Sequence, residues 1–315
     1  MRNYLTGKER LLVAALAFIL PKRIFNIGLW VLLCVPCLLA SCDHDVHNDE
    51  EEGGLSVSLT WADEADKGTE VKDVKLWIFN ADDGSLVEEK HYGSAQEVAS
   101  QRFQLPEGTY RILTTTNLTE PFFINEQTRA LTNWNNILIG LTNPKDVRNN
   151  AYFGVTDVKI DNKEGNYVVQ NPIRSVLAEL TIIIENIPKG TEMSGKALDA
   201  AWSLFPTQKN SDGDYGLPSI EPTEVELPTL LATESTLKSE VIRLMPTIQG
   251  SSSSHIYLRL LLPTGTLQEF DITAPKMNVG GKYELRFKYE EMQPKMNLDA
   301  TINGWTNLNN EVETK

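Results

Sequence analysis

From residue 55 onward, apolar and polar residues alternate with a period of two, and no other feature limits the fold as strongly. Leu55, Val57, Leu59 and Trp61 alternate with Ser56, Ser58 and Thr60, the pattern of a strand with one face in a core. Val74 to Phe79 repeats the idea, and Asn80-Ala81-Asp82-Asp83-Gly84 follows as a hairpin turn. Leu86-Val87 returns, then Val98 to Leu105, a Pro106-Glu107-Gly108 turn, and Tyr110 to Thr116 on β-branched residues. Further strands are read at Ala151 to Val155, Val158 to Ile160 and Tyr167 to Val169. Later ones run over His255 to Leu262, Leu267 to Thr273 and Lys282 to Tyr289. Val176 to Ile184 is the most β-prone stretch and reads as a central strand, apolar on both faces toward its end. Short strands at regular intervals with Gly and Pro turns predict an all-β sandwich architecture. Asn171-Pro172 breaks the pattern and marks a boundary between domains over 55–171 and 172–315. Residues 221–247, punctuated by Pro222, Pro228 and Pro246, fit no single element. In residues 118–150, Leu131, Trp134, Leu138 and Leu141 stand at helical spacing. They suggest a short helix packed over a sheet end, with a ligand-binding lid as the alternative.

Ahead of this β region stands a different kind of segment. Pro21-Lys22-Arg23 precedes an apolar run from Ile24 to Ala40 that closes on Leu39-Ala40-Ser41-Cys42. Basic residues, an apolar core and then small residues are the layout of a secretory signal. Ending on cysteine resembles a bacterial lipobox, in which the cysteine is lipidated and becomes the new N-terminus. A transmembrane helix, cleavage elsewhere and an ordinary buried cysteine are the competing readings. The run has about the ~20 residues needed to span a bilayer, but Pro36 interrupts it and an acidic stretch follows. Cys42 is therefore the expected lipidation site, residues 1–41 the signal peptide and residues 42–54 an acidic tether. Leu11 to Leu20 is a second apolar stretch, which a translation start nearer Lys22 would explain.

Charge and cysteine content narrow the function classes. The chain of 315 residues has 29 Lys+Arg and 43 Asp+Glu, a net charge of -14. Residues 1–41 hold five basic residues and one acid, so cleavage leaves 24 and 42 and a net charge of -18. Such a surface repels nucleic acid phosphates and anionic head groups. With Cys34 and Cys37 inside the signal, Cys42 is the sole mature cysteine, and no intramolecular disulfide can form. The acidic run Asp49 to Glu52 is similar to the export signals of Bacteroidetes surface lipoproteins, or is a plain hydrophilic spacer. His44 and His47 with Asp43 and Asp45 are poor metal ligands, because a tether must be ordered to hold an ion. Asn210-Ser211-Asp212-Gly213-Asp214 lacks the downstream glutamate of an EF-hand and reads as a turn. There is no nucleophile elbow, phosphate-cradling loop or His-Glu-x-x-His pair. Asp82-Asp83 and Glu88-Glu89 fall in turns or on exposed edges. No catalytic residue, cofactor or metal site is assigned, and the chain reads as a non-enzyme.

One hairpin carries a family likeness. Leu105-Pro106-Glu107-Gly108-Thr109-Tyr110-Arg111-Ile112, ending at Asn117, resembles the Leu-Pro-x-Gly-x-Tyr hairpin of Bacteroidetes fimbrillin-like lipoproteins. Thr115 and Thr116 stand where the anchor branch often has tryptophan. Val74 to Phe79 before an Asp-Gly turn, Tyr152-Phe153-Gly154, Arg174 to Ala178 and the terminal Ile302-Asn303-Gly304-Trp305 also match. Together they look like the fimbrial anchor family (the FimB type, related to the minor-fimbria anchor). The resemblance implies two transthyretin-like β-sandwiches, an outer-membrane location, fimbrillin shaft subunits as partners and strand addition as the assembly mode. In shaft fimbrillins, an arginine-specific protease removes the lipidated end and the first strand. Here no Arg or Lys lies between Cys42 and Trp61, Lys67 is the first basic residue after the cysteine, and Arg102 is the first arginine. That favours a retained lipid and an anchor. Leu55–Trp61 and Leu298–Trp305 are the candidate assembly edges. The alternative is a surface module binding glycan or host protein, with Trp134 or the loop around it as its platform.

Overall fold

The structure, a computed structural model, describes residues 53–125, 133–144, 147, 149–292 and 306–307. Cys42, the histidines of the tether, Leu131 and the edge candidate Leu298–Trp305 lie outside the described residues.

In chain order the first elements are β1 (Gly54–Trp61), β2 (Lys72–Asn80), β3 (Leu86–Ser94), helix α1 (Ala95–Ala99) and β4 (Gly108–Thr116). Next come β5 (Phe122–Ile124), β6 (Ile139–Leu141), β7 (Tyr152–Ile160), β8 (Asn166–Ser175) and β9 (Ala178–Glu185). They are followed by β10 (Glu192–Ala201), β11 (Ser203–Lys209), β12 (Tyr215–Pro218), β13 (Pro222–Leu231) and β14 (Thr236–Lys238). The last are β15 (Ile242–Leu244), β16 (Ser253–Leu261), β17 (Leu267–Pro275), β18 (Lys282–Lys288) and β19 (Thr306–Asn307).

The strands form four sheets, ordered β1-β8-β7-β4-β2-β3, β12-β11-β6-β5, β13-β10-β16-β17 and β14-β9-β18-β19, with β15 also on β9. Strand β2 shows how the first two sheets stack. Val74, Leu76 and Ile78 enter one core with Leu55 and Val57 of β1, Ile112 of β4 and Val98 of α1. Trp77 and Phe79, of opposite parity, enter a second core with Leu113, Phe153 and the short-sheet residues Ile124, Ile139 and Leu204. A strand buried on both faces needs a continuous apolar run rather than alternation. That explains why Leu76 to Phe79 has no polar interruption and is buried throughout. A third core lies between the last two sheets, where Leu180, Ile182 and Ile184 of β9 meet Ile256, Leu258 and Leu260 of β16. Strand β9 is central, as expected, with β14 and β15 on one side and β18 on the other.

Three readings of the sequence are corrected here. The stretch Val98 to Leu105 is not a strand. Ser94 caps α1 by accepting from the Glu97 amide at 3.3 Å, and the Glu97 carboxylate accepts from the Gly93 amide at 2.9 Å. This capping box sets the local structure before Phe103 makes a single bridge to Leu55. The helical spacing at 131–141 does not give an α-helix either. Trp134–Asn136 is one 3-10 turn and Ile139–Leu141 is β6, antiparallel to β5. Asn171-Pro172 lies inside β8 rather than between elements. There β8 changes partner, pairing with β1 through Ile173 and with β7 at Arg174 and Ser175. A proline lacking its N–H is tolerated at such a crossing. The buried Asn171 side chain holds the crossing by donating to Thr114 Oγ1 at 2.9 Å and accepting from Thr156 Oγ1 at 3.1 Å. Gly154 makes room for it: a Cβ there would stand 2.7 Å from Asn171 Oδ1. Residues 221–247, which fit no single element in the sequence, hold the three strands β13, β14 and β15.

Candidate functional site

For a protein without an evident catalytic cluster, the informative places are sheet edges, clefts and exposed rings. Strand β1 ends its sheet and pairs in parallel with β8 over all eight residues. On its outer side Leu55 exchanges two backbone hydrogen bonds with Phe103, both 2.9 Å. Ser56 receives the Arg102 guanidinium and donates to Gln101 O at 3.3 Å. Beyond Ser56 the outer edge of β1 has no strand partner among the described residues. Leu55 and Val57 are fully buried, so β1 fills its own slot in the core. Its removal would uncover the core side chains of β2 and the edge of β8. The other outer strands are blunted by charge, as edges generally are: β3 carries Glu88, Glu89, Lys90 and His91, and β17 carries Glu269 and Asp271.

A second opening lies between the outer strands β13 and β14–β15. This groove of about 880 Å³ is lined by Val225, Leu227, Leu230, Val241 and Ile242, with Glu226, Lys238 and Glu240 at its rim. At the C-terminal edge, the described residues of β19 pair with Tyr283 and Glu284 of β18. It directly follows the Leu298–Trp305 segment read as an assembly edge.

A polar cleft of about 890 Å³ opens beside the end of β1, lined among others by Asp66, Lys72, Tyr152, Glu179, Arg243 and Lys282. The 3-10 turn Glu64–Asp66, capped by the Asp63 carboxylate, brings two acids to Lys282 at the start of β18. Lys282 Nζ lies 2.6 Å from Asp63 Oδ2 and 3.4 Å from Asp66 Oδ1. Burial pushes the Asp66 carboxyl up, and the pull of Lys282 does not fully offset it. Burial also pushes Asp63 up, but the hydrogen bonds from Lys282 and the Ala65 amide outweigh it and hold Asp63 below the ordinary range. Lys282 is raised, because its two carboxylates outweigh the opposing effect of burial.

Trp134, the expected glycan platform, is already engaged. The Arg111 guanidinium stacks on its ring 3.1 Å from the centroid and donates from Nε to Asp157 Oδ1 at 2.6 Å. Tyr215 completes the group, its hydroxyl donating to Asp157 Oδ2 at 3.2 Å. Burial is the main cause pushing the Tyr215 phenol up to about 12, with Arg111 pulling it down and Asp157 pushing it further up. This cluster stitches β4 and β7 to the short sheet. Nothing in the sequence spacing of 111, 134, 157 and 215 signalled it.

The Asn210–Asp214 loop is an Asx turn: Asn210 Oδ1 accepts from the amides of Asp212 and Asp214 at 2.9 and 3.0 Å. Among the described residues no three His, Cys, Asp or Glu side chains stand together as metal ligands.

These stacked sheets with their apolar cores define a β-sandwich protein. The chain belongs to the family of fimbrillin-A associated anchor proteins Mfa1 and Mfa2, whose model matches residues 42–311. Its fold is similar to that of the fimbrial anchor protein Mfa2 from Porphyromonas gingivalis, at 16% identity and a TM-score of 0.50, over 75% of this chain and 90% of that one. A Bacteroides eggerthii protein described as a candidate for cell adhesion is 12% identical with a TM-score of 0.51, over 75% and 86%. A Bacteroides thetaiotaomicron protein described as a candidate polysaccharide binder is 10% identical with a TM-score of 0.50, over 75% and 92%. No curated protein matches the chain at the same level of significance. Family membership associates the chain with cell-surface fimbriae and their subunits. The family is structural rather than enzymatic.

Proposed function

We propose that this protein anchors a fimbria to the outer membrane, held in the bilayer by lipid on Cys42 and joined to fimbrillin subunits by strand addition. The observation that carries the reading is the family match, which starts at residue 42 and runs through both halves of the β region. Two acyl chains hold a protein in a bilayer far more firmly than one, and a lipoprotein cysteine carries that kind of anchor. Strand addition needs an edge whose backbone groups are free to pair. Among the described residues, the outer side of β1 past Ser56 is such an edge. Retention of β1 fits an anchor better than a shaft subunit. Leu55 and Val57 are fixed in the core, and the first basic residue past the strand, Lys67, is tied to Glu64 at 2.7 Å.

Deletion of the gene tests the proposal directly. Fimbriae are expected to polymerise but to be shed into the medium, and Cys42→Ser is expected to release the protein itself from the membrane fraction. Cell-attached fimbriae of unchanged number and length in the deletion strain overturn the anchoring role.

A further inference from the structure

We propose that Lys282 and Asp63 condense to an intramolecular isopeptide bond, with Asp66 as the proton carrier, tying the end of β1 to the start of β18. The geometry is that of a lysine held against one carboxylate with a second acid alongside. Nζ is 2.6 Å from Asp63 Oδ2 and 3.4 Å from Asp66 Oδ1. The side chains of Lys282, Asp63 and Asp66 are only 16%, 27% and 13% exposed. Trp61 meets Tyr152 edge-on at 4.9 Å beside them, and Tyr152 and Glu179 share the wall of the cleft. Holding the amine against the carboxyl carbon makes an otherwise bimolecular condensation unimolecular, which raises its effective concentration enormously.

The step balances without a co-reactant. Lys282 Nζ gives a proton to Asp66 and attacks Cγ of Asp63. The new bond is N–C, and the bond that breaks is from Cγ to one carboxylate oxygen. Two of the three ammonium hydrogens leave with that oxygen as water, one of them by way of Asp66. The third stays on the amide nitrogen. Asp66 ends as it began, and one positive and one negative charge disappear together. Asp66 starts as the carboxylate, and burial, which pushes its carboxyl up, makes it a readier acceptor of the proton from Lys282. Glu179 adds to that effect by repulsion.

The bond would do what a disulfide does elsewhere. The sequence has no cysteine after Cys42, so no sulfur crosslink can resist tension in the β region. Asp63 sits two residues beyond β1, and Lys282 opens a strand in a different sheet. An amide between them would bypass the 218 intervening residues. This inference stands whether or not the protein anchors a fimbria.

The test is peptide mapping by mass spectrometry of the full chain purified from cells. The expected product is a branched peptide joining the Asp63 and Lys282 segments, one water lighter than the two together. It should be absent in Lys282→Arg, which keeps the charge but cannot condense. It should be absent or much slower to form in Asp66→Asn, which leaves both reacting groups in place. Finding only the two linear peptides in the wild-type chain overturns the proposal. A link that forms at the wild-type rate in Asp66→Asn overturns the role given to Asp66.

Discussion

Arg111 is held by three neighbours at once: the Asp157 carboxylate, the Trp134 ring and, 5.3 Å from its centroid, the Tyr215 ring. A planar, permanently charged fork can stack and pair simultaneously, which an ammonium cannot. Arg111→Ala is expected to cost about 2 kcal/mol, from the stacking and one charge-assisted hydrogen bond. Arg111→Lys should recover less than half of that, as read from urea midpoints at constant slope. The same cluster sets an alkaline limit. Tyr215 keeps its proton to about 12 in the fold, whereas an unfolded tyrosine loses it near 10. Between those values the native state holds the extra proton, so stability is complete below about 10 and falls as pH rises toward 12. Tyr215→Phe should remove that share of the alkaline decline in a pH series of denaturation curves. A contrast within β4 is sharper. Thr116 buries a hydroxyl that has no partner among the described residues, while Thr114 accepts from the side-chain amide of Asn171. Thr116→Val is expected to be neutral or to stabilise by about 1 kcal/mol, and Thr114→Val to destabilise by about 1–3 kcal/mol because it strands a buried donor. Equal effects from the two substitutions would contradict this account.

At the level of elements, what the sequence revealed depended on how each strand is buried. Strands with a single buried face, such as β16, announced themselves by alternation, and β9 by its unbroken apolar run. Strands β10 and β11 gave no such signal, since Met193-Ser194-Gly195-Lys196-Ala197 and the alanines at 200 and 201 suit no strong propensity. Strand β10 is a strand because β16 and β13 offer paired edges on both of its sides, and β11 because β12 and β6 do the same for it. In α1 five residues decided the matter through Ser94 and Glu97, against β-prone Val98. The Trp134 turn was misread because apolar residues three and four apart also arise when a 3-10 turn leads into a short strand. Of the candidate site, the β1 edge was legible as a strand of known position. The ionic joint at Lys282 was not, because its partners are separated by more than two hundred positions and by no motif.

For the whole molecule, the connectivity of the sheets decides which pieces can stand alone. The short sheet begun by β5 and β6 is completed by β11 and β12, with Ser203 opposite Gly140 and Leu204 opposite Ile139. Leu204 and Ala201 belong to the same core as Trp77 and Phe153. A fragment ending at residue 171 therefore lacks part of that core and the end of β8. It is expected to bind a hydrophobic dye and to show no cooperative melt, whereas the full chain melts cooperatively. A cooperative transition in the fragment would refute this reading of the sheet order. The parallel pairing of β1 with β8 also matters for the order in which the chain is made. A chain emerging from its N-terminal end exposes Gly54–Trp61 more than a hundred residues before Asn166–Ser175, the strand that pairs along its length, becomes available. Until then Leu55 and Val57 have no finished slot to occupy. The first strand out is thus among the last to be seated, and a holding chaperone that shields it during that interval would act on Gly54–Trp61.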